Sequence, residues 1–246
     1  MGRTAVTTAH LAADDRSHAD GLDWTTLENQ LDETGFAMTP PLLTPQQCAV
    51  VLDIFDDDAR FRSTVVMAQH AYGEGSYRYF ADPLPPVVQA LREQLYPPMA
   101  AIANRWAERL GERRFPDSLE CLLEECADLG QRRPTPLLLR YGPGGYNCLH
   151  QDVYGDLTFP LQFLVMLSRP DEDFTGGESV FVEQRPRQQS RAMVARPGLG
   201  EAVIFSVRHR PHRGARGYRR VQLRHGVSAV HTGSRHVLGI IFHNAR

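Results

Sequence analysis

The chain has 246 residues, a hydrophobic share of 42%, a charged share of 23% and a formal net charge of −2. These are the values of an ordinary globular protein long enough to bury a large core. Lysine is absent, so all 27 basic residues are arginine, which excludes Walker-A, Schiff-base and protein-kinase lysine chemistry.

No apolar run approaches the length of a membrane span, and no membrane partner is expected. The opening MGRTAVTTAHLAADDRSHADG lacks the apolar segment of a secretory signal. Cys48, Cys121, Cys126 and Cys148 show neither CxxC nor disulfide-framework spacing. Reduced thiols and a cytoplasmic location are the expectation. Charge is unevenly placed: from Arg185 to Arg246 there are 13 arginines and one acid, Glu201. Such a basic half either marks an anionic partner such as nucleic acid or balances the acidic N-terminal part.

In chain order, residues 1–20 are polar and unpatterned and read as a flexible tail. The remainder, 21–246, reads as one domain with a helical part over 21–130 and a β core over 131–246. Leu22 to Leu31 is amphipathic. In TPQQCAVVLDIF, Thr44 is placed to cap a helix whose first position is Pro45. A longer helix should follow Pro85-Pro86 and run towards Arg109, with a break expected at Pro97-Pro98. Ser118 to Leu129 repeats the helical period. After Pro136 the period changes to short apolar or alternating runs: LLLRY, FPLQFLVMLS, ESVFVEQ, RAMVARP, EAVIFSV, RRVQLRHGV and RHVLGIIFH. Glycine- and proline-rich turns separate them. Seven or eight strands after a helical start predict an α+β chain with a mainly β sandwich or barrel, braced by the N-terminal helices.

Chemistry is concentrated in YGPGGYNCLHQD, residues 141–152. On a strand or its end, His150 and Asp152 project to the same side and can share one ion. The triplet alone is weak, since His18-Ala19-Asp20 fits it too. A second histidine would complete the two-histidine, one-carboxylate triad of non-haem Fe(II) oxygenases, which leaves coordination positions open. Of the downstream candidates, His225 lies on a late strand and is followed, past the Thr232-Gly233 turn, by Arg235. The planar fork of that arginine suits an acidic co-substrate.

His150, Asp152, His225 and Arg235, together with RYGPGGYNCLHQD, FTGGES and GEAVIF, resemble the Fe(II)/2-oxoglutarate-dependent oxygenase superfamily over about residues 137–243. The wider chain, with GEGSYRYF, NRWAERL and GIIFH, is similar to a bacterial branch of it associated with oxidation of damaged, alkylated DNA. The resemblance implies a double-stranded β-helix (jelly-roll) core and Fe(II) held by His150, Asp152 and His225. It implies 2-oxoglutarate bound through Arg235 and the Tyr141 hydroxyl, O2 as oxidant, and release of succinate and CO2 as the substrate is hydroxylated.

Each residue has a plainer reading. His150 and Asp152 could be a surface pair, Tyr141 a core tyrosine and Cys148 a small buried hydrophobe. Gly176 and Gly177 need be no more than turn residues. His209 and His212 fit an exposed loop better than substrate contacts; His231, His236 and His243 read as strand-surface or structural. Zinc hydrolysis lacks HExxH or clustered Cys/His spacing. A non-catalytic cupin-like metal module would not need Arg235. A DNA-binding protein without catalysis lacks a helix-turn-helix or zinc-finger signature.

Two substrate classes remain open. One is a methylated nucleobase, with the arginine-rich segment 208–220 on the strand and Tyr72, Tyr77, Tyr79 and Phe80 for stacking. The other is a protein side chain, as in prolyl hydroxylases, or a small molecule. Placement of Arg208, Arg210, Arg213 and Arg216 at the rim of the metal pocket would favour the first.

Overall fold

The computed structural model describes residues 21–185 and 187–246; the flexible tail expected over 1–20 lies outside the described residues. Helix α1 (Trp24–Thr34) begins where the Asp23 carboxylate accepts from the backbone N–H groups of Thr25 and Thr26, each at 3.1 Å, and ends at Gly35 in the left-handed region. Strand β1 (Phe36–Pro41) follows. Helix α2 (Pro45–Asp53) carries the expected Thr44 cap, completed reciprocally by Gln47 as a capping box.

The next stretch departs from the expected helical reading. It contains β2 (Phe61–Val66), β3 (Gly73–Glu74) and β4 (Ser76–Phe80), so with β1 the segment before residue 81 supplies four strands. Each is short, and the residues that mark it as β, such as the Thr-Val-Val of β2 and the alternating aromatics of β4, gain their meaning from neighbours distant in sequence.

Helix α3 (Pro86–Leu110) runs unbroken through Pro97 and Pro98. Those prolines have no N–H to donate one turn back, and they sit on the exposed side of the helix beside Glu93 and Gln94 rather than on its packed face. The opposite face of α3 buries Leu91, Leu95, Tyr96, Met99 and Trp106. Helix α4 (Leu119–Asp128) completes the bracing layer.

The remaining strands are β5 (Leu137–Tyr141), β6 (Tyr146–His150), β7 (Leu161–Met166), β8 (Phe174–Gly176), β9 (Ser179–Gln184), β10 (Arg191–Ala195), β11 (Glu201–Ser206), β12 (His209–Gly214), β13 (Gly217–Val227), β14 (Val230–Gly233) and β15 (Arg235–Ile240). One sheet has the order β1-β11-β7-β15-β5-β4-β2. The second is β10-β9-β13-β6-β3, with β12 on β13, and β14 pairs with β8. The result is α+β, mainly β, with the sheets facing one another as in a jelly roll. His209 and His212, expected on an exposed loop, lie on the edge strand β12; Pro211 is accommodated there because an edge leaves one row of backbone groups unpaired.

Alternation along the strands of the large sheet separates two cores. Leu138, Phe163, Val165, Leu238 and Ile240 pack with the helices. Tyr141, Met166 and Val237 face the smaller sheet. That second side holds the site.

Candidate metal centre

His150 ends β6 and pairs in register with His225 of β13, so the two imidazoles are cross-strand neighbours with ring centroids 4.2 Å apart. Asp152, two residues past the strand end, turns its carboxylate between them: Oδ1 is 3.4 Å from His150 Nε2 and Oδ2 is 3.2 Å from His225 Nε2. One donor atom from each of the three residues lies within 4.8 Å of the others.

The surroundings orient these donors. His150 Nδ1 bonds to the Cys148 carbonyl at 2.7 Å, which leaves Nε2 to face the centre. Tyr154 donates its hydroxyl to Asp152 Oδ1 at 2.7 Å, and Gln162 Nε2 donates to Oδ2 at 2.6 Å. Burial would push the Asp152 carboxyl up, but hydrogen bonds from His150 and His225 outweigh it and hold the group well below the usual carboxylate range. His225 is lowered, first by burial and then by the neighbouring His150. His150 is itself raised: burial opposes the shift, but its hydrogen bond with Asp152 prevails. Two basic nitrogens around an ionised carboxylate form a donor set that fits Fe(II).

A cavity of about 430 Å³ opens from this centre between the sheets. Tyr141 and Arg235 line it as a registered pair on β5 and β15, the guanidinium 5.4 Å from the tyrosine ring centre. Arg235 is 1% exposed, donates from Nη2 to Ser179 Oγ at 3.1 Å, and leaves Nε without a partner. Among the described residues it pairs with no carboxylate. Burial pushes its pKa down to about 10. Room for this side chain comes from Gly177, where a Cβ would fall 2.9 Å from Arg235 Cδ; that glycine therefore does more than form a turn. Tyr141 is fully buried, accepts from Asn147 Nδ2 at 3.3 Å, and is raised to about 12 by burial. A buried cation without a counter-ion inside a cavity fits a carboxylate ligand.

The sequence reading missed Gln162, Tyr154 and Asn147. Gln162 left a signal, a lone polar residue inside the apolar run LQFLVM. Other expectations need correction. Cys148 is exposed and lines the cavity, because it sits near the strand end beside the mouth. Tyr72, Tyr77 and Tyr79 line the cavity, but Phe80 is fully buried in the helical core and is lost to stacking. None of Arg208, Arg210, Arg213 and Arg216 lines it. Arg210 is instead buried in an ion pair with Glu183 and also donates to the Asp32 carbonyl at 2.7 Å. His209 bonds Glu112 at 3.0 Å, and His243 is a structural residue that accepts from the Phe159 N–H at 3.1 Å. No helix among the described residues is long and apolar enough to cross a membrane.

Comparison with known proteins identifies the family and the fold. Residues 75–245 match the Oxygenase-NA family, described as oxygenases catalysing oxidative methylation of damaged DNA. An uncharacterized protein of Mycobacterium tuberculosis, found in strains CDC 1551 and H37Rv, is 46% identical over 167 residues, covering 68% of this chain and 72% of its own. Among solved structures, a prolyl 4-hydroxylase of Phytophthora capsici shares the fold with a TM-score of 0.54 at 15% identity, over 96% of this chain and 67% of that one. A 2OG-Fe(II) oxygenase family member from Burkholderia pseudomallei does so with a TM-score of 0.51 at 18% identity, over 90% and 92%. A non-heme alpha-ketoglutarate-dependent epimerase of nogalamycin biosynthesis has a TM-score of 0.56 at 13% identity, over 88% and 80%. The chain belongs to the Oxygenase-NA family of oxygenases, and it shares its fold with 2-oxoglutarate- and Fe(II)-dependent oxygenases of known structure.

Proposed function

We propose that this enzyme removes methyl groups oxidatively from alkylated nucleobases, with His150, Asp152 and His225 as the metal ligands and Arg235 and Tyr141 as the seat of 2-oxoglutarate. Oxygen insertion oxidises a methyl group and cannot add one. The chemistry is N–CH3 + O2 + 2-oxoglutarate → N–CH2OH + succinate + CO2, after which the hemiaminal breaks to N–H and formaldehyde. Iron, when bound, supplies the activation of O2. The protein's residues supply placement. Arg235 and Tyr141 hold the distal carboxylate deep in the cavity, Gln162 and Tyr154 fix the orientation of Asp152, and Phe181, Phe205 and Val237 keep the walls dry.

The carrying observation is the buried, acid-free guanidinium of Arg235 in the cavity that holds the triad. The nucleobase is supported by the family description and by Tyr72, Tyr77 and Tyr79 in the cavity wall. A second reading, hydroxylation of a protein side chain or small molecule, is favoured by the absence of Arg208, Arg210, Arg213 and Arg216 from that wall. The test is formaldehyde release from N-methylated single-stranded DNA with Fe(II) and 2-oxoglutarate. The native enzyme should release it and Asp152→Ala should not. Succinate formed without formaldehyde would keep the oxygenase and replace the nucleobase by the second class.

A further inference from the structure

A second cavity, of about 440 Å³, lies behind the segment that carries Asp152. Gln151, Asp152 and Tyr154 face the metal cavity, whereas Val153 and Gly155 face the second. Gln151 links the two: its Nε2 donates to the Leu223 carbonyl at 2.7 Å and to the carbonyl of Arg208, which lines the second cavity, at 3.0 Å. Leu110, Phe115, Pro160 and Val207 form apolar walls of the second cavity, which Val153, 44% exposed, also lines.

Most ionic groups here are neutralised in place. Glu112 accepts from His209 at 3.0 Å and Arg220 at 2.6 Å, Arg113 pairs with Glu125, and Asp156 pairs with Arg246. Arg208 is the exception. Its guanidinium is exposed and has neither an ion pair nor a hydrogen bond among the described residues, although its backbone is fixed by Gln151. An apolar slot of this size with one unpaired cation at its edge suits a planar, largely apolar body that carries an anionic group.

We propose that this slot seats the nucleotide adjoining the one presented to the metal, its base against Phe115 and Val153 and its phosphate on Arg208. The inference rests on the nucleobase reading above and adds to it a requirement for strand rather than free nucleotide. Arg208 then reads strand length, a task separate from the chemistry, and its effect falls on KM.

The experiment compares an N-methylated nucleoside monophosphate with a trinucleotide whose central base carries the methyl group, in the native enzyme, Arg208→Ala, Arg208→Lys and the hairpin control Arg216→Ala. The native enzyme should prefer the trinucleotide. Arg208→Ala should raise the trinucleotide KM about tenfold, with kcat and the mononucleotide KM unchanged. Arg208→Lys should restore part of the loss, and Arg216→Ala should match the native enzyme. Fluorescence anisotropy of a dye-labelled, unmethylated trinucleotide should repeat the order without turnover, with a salt slope about 0.7 lower for Arg208→Ala, the loss of one single-strand phosphate contact. Equal trinucleotide KM in native and Arg208→Ala enzymes, or equal losses on both substrates, overturns the slot alone. Formaldehyde from no nucleic acid at all overturns the slot and the nucleobase reading together.

Discussion

The Asp152 carboxylate has both oxygens occupied by neighbours that are not ligands, Tyr154 on one and Gln162 on the other. Its direction is therefore set by residues outside the triad. Gln162→Leu keeps the volume and removes the donor; metal affinity should fall about 10–100-fold, read by competition with a fluorescent chelator. Arg235 faces the opposite problem, a full charge buried in the cavity wall with no carboxylate partner among the described residues. Arg235→Leu should raise the calorimetric Kd for 2-oxoglutarate at least about 30-fold, equivalent to about 2 kcal/mol. Metal binding in that variant should be unchanged, which separates the co-substrate seat from the triad. Arg235 was legible because it follows a turn ten positions after a histidine. Gln162, Tyr154 and Asn147 were not, because their roles depend on which strands become neighbours.

Between the residue and the whole molecule, the decisive element is the β6–β13 pair. Gly226 follows His225 at the point where the register slips before Val227. A Cβ there would meet the Asn147 carbonyl at 2.6 Å and the Cys148 carbonyl at 3.2 Å. Gly226→Val should force the strands apart, costing about 1–3 kcal/mol and lowering Tm by roughly 3–10 °C, with metal affinity falling in the same variant. Because the two histidines face each other across this pair, an ion that binds them also ties the strands together. At a free metal concentration of 100 times Kd the native protein should gain about 2.7 kcal/mol of stability, visible as a Tm that rises with metal and fails to do so in Asp152→Ala. The C-terminal strands were readable from alternation and turns. The N-terminal ones were hidden because most of their partners lie far along the chain: β1 pairs with β11, β3 with β6 and β4 with β5.

For the molecule as a whole, the basic half loses part of its meaning once folded. Arg210, one of a run of arginines, is buried against Glu183, a partner 27 residues away that no local pattern reveals. Acid sensitivity has a local origin in His243. Burial lowers its pKa to about 4, while the unfolded chain keeps the ordinary value of 6.5. The unfolded state therefore binds the proton first as pH falls, and stability drops between those two values by about 1.4 kcal/mol per pH unit from this group. His243→Gln should flatten that part of the curve of denaturation midpoint against pH. The large sheet, finally, interleaves early and late sequence: β1 pairs with β11 through Phe36 and Phe205, and β15 sits between β5 and β7. During synthesis β2, β4 and β5 can pair early and β1 must wait for β11, but the two halves of the sheet, β2-β4-β5 and β7-β11-β1, are joined only when β15 emerges. Synthesis that stalls before Arg235 leaves a chain with all three candidate ligands but without the buried guanidinium that shares their cavity.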